Sequence, residues 1–485
     1  MSSSIDPCLA FVGGALLALC GCVAGPQFVV PPAPAVDRYQ PAAQVTGGGP
    51  AVDSSASPPQ QWWTLLRAPR LDAVVALALA DNQDLSAAQA TLTQAQALAR
   101  ISTSARYPRV DLQASAGRRK NGAADLGDLQ LPAFTYYSIG PSVSYLFDIA
   151  GGVRRGVEQQ QAVAEVRAHE LDGARLTLSG NVALQALTIA SLRAQIDTLR
   201  ELLADDDTDV RLVRDALEAG SASRVDVLSA ESQRASDAAR LPPLQQQLSS
   251  ANYALTLLVG RAPAEWTPPE FELAEFTLPQ PLPLTLPSEL AHRRPDILAA
   301  EAQLHAATAA VGVASANLYP QLTLSANVSF ESTQLGSLFD RDTGGAGLGA
   351  TLTAPLFNHG ALRARERAAQ AAMQQSAAHY RQVVLQSFTQ VAGSLDALRH
   401  NAELLDALGN AQGTAAENLS LTRQSYTEGN ASVLQILTAE RLHQQAQLDL
   451  VRAQAEQKVD AVQLLLALGG SALPTQPAPS QVRRP

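Results

Sequence analysis

Four stretches of this chain alternate apolar with small polar residues. Tyr137, Ile139, Pro141, Val143, Tyr145 and Phe147 alternate with Ser138, Gly140, Ser142 and Ser144, and upstream Val110, Leu112, Ala114 and Ala116 alternate with Asp111, Gln113 and Ser115. In the second half Leu322, Leu324, Ala326, Val328 and Phe330 alternate with Thr323, Ser325, Asn327 and Ser329. Ala346, Leu348, Ala350 and Leu352 then alternate with Gly347, Gly349, Thr351 and Thr353. A period of two predicts strands with one apolar and one polar face. Each run is about 10 residues, the length a tilted strand needs to cross a bilayer. A soluble sheet with one buried face alternates in the same way. Aromatic residues near the strand ends, Phe134, Tyr136, Tyr145, Phe147, Phe330 and Phe357, point instead to a membrane barrel with interfacial girdles.

Four strands do not close. An open sheet edge in lipid leaves backbone groups unpaired at several kcal/mol each, so spanning sheets form barrels. The barrel must then be shared between copies. Two copies supply about eight strands, enough for little more than packed side chains, and three supply about twelve. Oligomerisation follows from the strand count; the number three does not follow from it uniquely.

The rest of the pattern is helical. Residues 153–218 and 361–428 hold no proline, little glycine and much Ala, Leu, Gln, Arg and Glu, all strong helix formers apart from the glycines. A helix of that length spans about 100 Å, far more than a globular domain uses. Returning helices are expected over 223–259 and 432–468, ended by Gly260 and Gly469 in the left-handed C′ position and stopped by Pro263 and Pro474. Gly220 and Gly429 are candidate caps of the long helices. Ser223 with Asp226 and Ser432 with Gln435 have capping-box spacing. Two tight helical hairpins result, both at the end far from the strands.

These elements occur twice. Residues 222–231 correspond to 431–440, Leu258-Val259-Gly260 to Ala467-Leu468-Gly469, Leu146-Phe147-Asp148 to Leu356-Phe357-Asn358, and Tyr107-Pro108 to Tyr319-Pro320. The unit is a strand pair set between long helices, and the duplication favours one woven architecture over a string of domains.

The cysteines are Cys8, Cys20 and Cys22, leaving no disulfide framework or cysteine metal site in the rest of the chain. Residues 9–19 have the length of a signal h-region, although residues 1–8 carry Asp6 and no Lys or Arg. Leu19-Cys20-Gly21-Cys22 fits a lipoprotein signal with Cys22 as acceptor; Cys20, preceded by Leu19, fits less well. Residues 23–61 are rich in Pro, Gly, Ala and Ser, with further Pro-rich segments at 263–287 and 474–485. Elsewhere no apolar run of about 18 residues predicts a transmembrane helix. The formal charge of −10 argues against nucleic acid as a partner.

Catalytic patterns are not evident. His169, His292, His305, His359, His379, His400 and His443 are scattered, and no nucleophile elbow, P-loop or dinucleotide fingerprint is present. Asp205, Asp207 and Asp209 mimic the start of a calcium loop, but Val210 and Ala216 stand where Gly and Glu are needed. They read as a solvated acidic face balanced by Arg211 and Arg214. Arg293-Arg294-Pro295-Asp296-Ile297 reads as a helix start, with Pro at N1 and an acid in the first turn. No enzyme, metal or cofactor is expected.

Taken together, Cys22 followed by Gly25-Pro26 and Pro31-Pro32, the 293–297 segment, Pro355-Leu356-Phe357 and the paired hairpins at Gly220 and Gly429 resemble the TolC-like outer membrane factor family, in its lipoprotein branch (NodT/OprM type). The resemblance covers 22–469. It implies an α+β membrane protein: a homotrimer with a 12-stranded outer-membrane β-barrel, four strands per chain, continued by a long periplasmic α-helical barrel with a mixed equatorial belt. It further implies a passive exit duct of a tripartite efflux pump, completed by a periplasmic adaptor and an inner-membrane RND-type transporter, with Cys22 acylated in the outer membrane. Val23 after the cysteine is compatible with outer-membrane sorting. The implied organisation is a signal peptide (1–21), a lipidated leader (22–69), repeat 1 (70–262), a Pro-rich equatorial linker (263–287), repeat 2 (288–469) and a Pro-rich tail (470–485).

Carried onto this chain, the resemblance makes Gly220, Ser221, Ala222, Gly429, Asn430 and Ala431 the periplasmic tips that meet the adaptor and form the aperture. Glu218, Asp226 and Glu428 are candidate aperture acids. Such an aperture rests closed, and an adaptor opens it by binding the dilated state more strongly. Two other readings stand beside small-molecule efflux: a type I secretion channel for proteins, and a lipid-anchored trimeric scaffold without a pore. Met373 is the one internal methionine, so a thioether route for soft metals is not expected.

Overall fold

The computed structural model describes residues 23–32, 36, 38–40, 51–53, 56–120 and 132–470. Cys22, the signal segment and Pro474 lie outside them. The main elements are α1 (Pro69–Asp81), α2 (Gln83–Ser104), β1 (Arg109–Arg119), β2 (Phe134–Phe147), α3 (Gly152–Glu218), α4 (Arg224–Ala238), α5 (Leu241–Val259), α6 (Pro295–Ala316), β3 (Gln321–Ser332), β4 (Gly344–Thr353), α7 (Ala361–Thr427) and α8 (Val433–Ala467). Two compact units result: one gathers 1–31, 91–168 and 299–381, the other 32–90, 169–298 and 382–485.

The first unit carries the sheet. Its order is β1-β2-β3-β4, antiparallel at every step. The register aligns whole rows across the strands. Val110, Val143, Ala326 and Leu348 form one row, and Tyr145, Leu324 and Ala350 another. Between them lies the row Arg109, Ser144, Ser325 and Gly349, flanked by Asp111, Ser142, Asn327 and Gly347. Side chains directly opposite share a face, so one face is apolar and the other polar, as the alternation predicts. The apolar face is bare: Leu348 is 89% exposed and Leu112 71%.

Two aromatic expectations need correction. Phe134 pairs with Arg119 and Tyr136 with Gly117, so both stand on the face of Ser138 and Ser142, not on the apolar face. A Cβ at Gly117 would lie 2.8 Å from the Tyr136 ring, so the tyrosine lies over that glycine. Period-two parity, more than closeness to a strand end, decides the face. Tyr137 and Phe330 take one end of the apolar face, and Tyr145 and Phe147 the other, their rings 6.4 Å apart edge to face. From Tyr137 to Phe147 is about 33 Å of strand, or about 25 Å across a membrane at the usual tilt, the height of an apolar band.

Between β2 and β3 the pairing skips Gly140 and Pro141. Proline has no N–H for the ladder. A Cβ at Gly140 would sit 1.9 Å from the carbonyl oxygen of Val328, so only glycine allows that approach.

In the second unit the long helices pack through Ala/Leu stripes. Val182, Ala183, Ala186, Leu187 and Ala190 of α3 join Val462 and Leu465 of α8 and Leu255 and Val259 of α5 in one core. The core also takes in Trp62, Phe271 and Phe276. Trp62 opens a 3₁₀ turn, Trp62–Leu66, and donates its indole N–H to Ser179 Oγ at 3.1 Å. The Pro-rich 263–287 stretch thus contributes buried Phe271 and Phe276 to this core, and Trp62 does so from just past the first Pro-rich stretch. Val52–Asp53 and Leu282–Pro283 add a short parallel pairing.

Three further expectations change. The returning helix expected over 223–259 is two helices, α4 and α5, meeting at Ala239 and Arg240. Pro242 and Pro243 deny N–H groups to a continuous ladder, whereas α8 runs unbroken for 35 residues. Helix α6 is long and apolar enough to cross a membrane, with an 18-residue window of mean hydropathy 1.3, against the expectation that no such run exists. Its apolarity comes from alanine and valine, and half of the window is buried within the protein, as in a packing helix. Finally, the acidic run is not one solvated face: Asp205 and Asp207 are exposed, but Asp206 and Asp209 are buried.

Candidate functional site: hairpin tips, buried acids and leader

Both hairpins close in the same way. Gly220 has φ +75° and Gly429 φ +80°, left-handed values that glycine takes without strain. Ser221 N–H donates to Ala216 O at 2.9 Å and Gly220 N–H to Leu217 O at 3.0 Å. Asn430 N–H donates to Ser425 O at 2.8 Å and Gly429 N–H to Tyr426 O at 3.0 Å. Each turn is a Schellman motif, followed at once by the next helix cap. Ser223 N–H donates to Asp226 Oδ2 at 2.7 Å, and Ser432 N–H to Gln435 Oε1 at 2.7 Å. Beneath the turns Val210, Val213, Val227, Ala230 and Val433 form a small core.

The candidate tip acids divide. Hydrogen bonds from the Ser223 backbone and hydroxyl hold the Asp226 carboxyl below its ordinary pKa, so Asp226 serves its cap. Glu428 accepts from Gln424 at 3.1 Å. Glu218 is exposed.

About three turns or more below the tips lies an acid cluster that sequence reasoning missed. Asp206 and Asp209 of α3, Asp237 of α4 and Glu440 of α8 are all at least nine-tenths buried. One carboxylate oxygen on each of Asp206, Asp209 and Glu440 has no hydrogen-bond partner. Burial first, then the charge of Asp237, pushes Asp206 up to about 6. Burial likewise lifts Asp209 to about 6, against the opposing pull of Arg423. The signal was available: Asp206 and Asp209 stand three apart, in phase with buried Leu202 and Val213.

The Arg293–Ile297 segment is more than a helix start. Arg294, 8% exposed, donates to Ala467 O at 2.6 Å, to Gln390 Oε1 at 2.9 Å and to Asp296 at 2.7 Å. One guanidinium thus fastens the end of α8 to α7 and to the start of α6.

In the first unit the leader is fastened beside the strand ends. Ala24 N–H donates to Ala150 O at 2.9 Å, three residues past β2. Arg155 donates to Ala24 O at 3.2 Å and Pro26 O at 2.9 Å. Gly25, with φ +84°, lies so close to Gly312 that an added Cβ would stand 2.5 Å from its Cα. Phe28 stacks on His305 at 4.4 Å. Val23, the residue after Cys22, packs against Gly151.

Among the described residues no group of three or more His, Cys, Asp or Glu side chains could hold a metal ion.

Comparison with known proteins follows the same lines. A family model described as outer membrane efflux protein matches residues 74–261 and 286–470. The pyoverdine export outer membrane protein OpmQ of Pseudomonas aeruginosa is 34% identical, covering 96% of each chain. The solvent efflux pump outer membrane protein SrpC of Pseudomonas putida is 28% identical over 94% of this chain and 97% of its own. Among solved structures, the outer-membrane channel OprN superposes with a TM-score of 0.86 at 27% identity, covering 93% of this chain and 99% of the other.

Proposed function

We propose, for a chain that belongs to the outer membrane efflux protein family, that three copies assemble into one channel whose twelve strands close a barrel in the outer membrane and whose helices continue it into the periplasm. The observation that carries this reading is the four-stranded sheet, with its bare apolar face and, among the described residues, one unpaired edge on each of β1 and β4. Neither edge can face lipid, and copies of the same sheet are the natural closure. The polar face of Ser, Thr, Asn and Gly would line a wet lumen with little substrate choice.

The duct works passively at the end of a tripartite pump, receiving cargo from an inner-membrane transporter of RND type through a periplasmic adaptor. Pyoverdine export and solvent efflux by the two relatives favour small organic cargo over secreted protein. The tips at Gly220-Ser221-Ala222 and Gly429-Asn430-Ala431 meet the adaptor and form the aperture, with Glu218 and Glu428 as its exposed acids. Cys22 carries the acyl anchor; the fastening of Val23 and Ala24 beside the strand ends supports this. Removal of 1–21, a leader over 22–69, repeats over 70–262 and 288–469, a linker over 263–287 and a tail over 470–485 complete the organisation.

Planar-bilayer conductance of the detergent-extracted oligomer tests this, comparing wild type with a Gly220→Val/Gly429→Val variant. Small closed-state currents that rise sharply in the variant are expected. An intact oligomer silent in both forms would sink the channel reading and favour the scaffold.

A further inference from the structure

We propose that the cleft where the leader meets the helices, just below the strand ends, binds the phosphate of an anionic glycerophospholipid from the adjacent leaflet. The inference rests on the sheet's apolar face lying in a bilayer.

The cleft has a volume of about 640 Å³, and Arg106, Arg154, Arg155, Glu158, His305 and Phe28 are among its walls. Its depth follows from the chain. Arg106 stands three residues before β1, and Arg154 seven after the end of β2. The strand ends at Arg109, Phe147, Gln321 and Thr353 are brought level by the register. Guanidinium groups within a turn or two of the apolar band fall at headgroup level.

The charges leave a vacancy for one anion. Arg155 donates to Glu158 at 2.7 Å, and His305 lies 3.0 Å from the same carboxylate. Burial raises the Glu158 carboxyl, but the hydrogen bonds from Arg155 and His305 outweigh it and hold the group below its ordinary pKa. Glu158 therefore stays ionised and answers Arg155. Arg154 is answered by Asp148 at 3.3 Å, yet keeps 42% of its side chain exposed. Arg106 is exposed and has no ion-pair partner among the described residues. One positive charge remains in excess, the match for a single phosphodiester, and guanidinium forks suit phosphate oxygens.

The second repeat adds to the excess. Arg363, Arg365 and Arg367 open α7 and are exposed, while Glu366 between them accepts from Ser315 at 2.7 Å. A chain of formal charge −10 thus gathers arginine at this one level.

The test is native mass spectrometry of the full-length oligomer, extracted in detergent and offered phosphatidylglycerol, phosphatidylcholine or glycerol phosphate. One arginine near an anionic surface gives roughly a five-fold preference. Wild type should retain phosphatidylglycerol over phosphatidylcholine by about that factor or more, and Arg106→Gln/Arg154→Gln should bring the two to parity. Because Arg154 also braces Asp148, the single Arg106→Gln variant is read as well and should lose most of the preference; Arg106→Lys should keep part of it. Equal retention of both lipids by wild type, or an unchanged preference in Arg106→Gln, overturns the proposal. Glycerol phosphate competing as well as the lipid would assign the cleft to a soluble anion and overturn the lipid source. Insertion into phosphatidylcholine vesicles is the separate control: its failure counts against the membrane reading, whereas insertion without headgroup preference counts against this site alone.

Discussion

Arg423 reaches across the second hairpin to Glu440, its guanidinium 2.6 Å from the carboxylate. The repeat places Arg214 and Glu231 in the same relation across the first hairpin, also at 2.6 Å. The environments differ: the Glu440 side chain is 5% exposed and that of Glu231 34%. Removing the partner of a buried charge costs about 3–5 kcal/mol, and removing one from an exposed pair about 0.2–1 kcal/mol. Arg423→Ala should therefore lower the melting temperature of the oligomer clearly, and Arg214→Ala barely. Equal shifts in thermal denaturation would refute this asymmetry.

Stability of the hairpin stems should fall as pH rises from about 4 to above 6. Asp206 and Asp209 each have a folded pKa of about 6 against an ordinary value near 4. Below the ordinary value both states are protonated and nothing is lost. Between the two values the folded state holds more protons, so stability declines with pH, and above 6 the full cost of burying charge is present. Each shift is worth roughly 2–3 kcal/mol. The groups facing this pair are Asp205 and Asp207 on the same helix, Asp237 on α4, Gln444 on α8 and Arg423 on α7; Arg234, which bonds Asp207, adds its charge nearby. Asp206→Asn/Asp209→Asn should flatten a comparison of melting at pH 5 and pH 7.5.

The two faces of the sheet should respond in opposite ways to charge. Leu348 lies in the apolar row with Val143 and Ala326, and Gly347 in the polar row with Ser142 and Asn327. Leu348→Arg near the bilayer midplane should cost about 2–4 kcal/mol and reduce recovery of membrane-inserted oligomer. Asn327→Arg, on the other face, should insert normally and alter ion selectivity. Normal recovery of the Leu348 variant would remove that face from the lipid.

Gly25→Ala should release the leader. The residue needs φ +84° and has no room for a Cβ against Gly312, so the substitution adds backbone strain of about 1 kcal/mol or more to a direct clash. Limited proteolysis should then cut near residue 25, while far-ultraviolet circular dichroism stays unchanged. A protected leader in the variant would show that Arg155 and Phe28 suffice to hold it.

Strands and long helices were legible because their causes are local. The alternation at 322–330 and the proline-free run at 361–428 each state a period directly, and the helix found, Ala361–Thr427, ends one residue short of that run. Gly220, Ser223 and Asp226 were legible for the same reason: a cap is written within four residues. What stayed hidden depends on distant partners. Nothing near Arg294 announces Ala467 and Gln390. Burial of Asp206 beside exposed Asp205 follows only from helix phase, and a count of acids along the chain averages that phase away. Pro242-Pro243 is a local sign of the break, and the matching stretch 432–468 holds no proline and stays continuous.

The outer edges of the sheet's two end strands, unpaired among the described residues, also constrain the order of events in time. A lone chain offers a bilayer the raw edges of β1 and β4, and lipid cannot satisfy them. If copies share one barrel as proposed, partners must be present at or before the moment of insertion. The rate of insertion should then climb more steeply than linearly with the amount of newly exported chain, and an orphan subunit is left outside the membrane, where proteases can remove it before it becomes a leak.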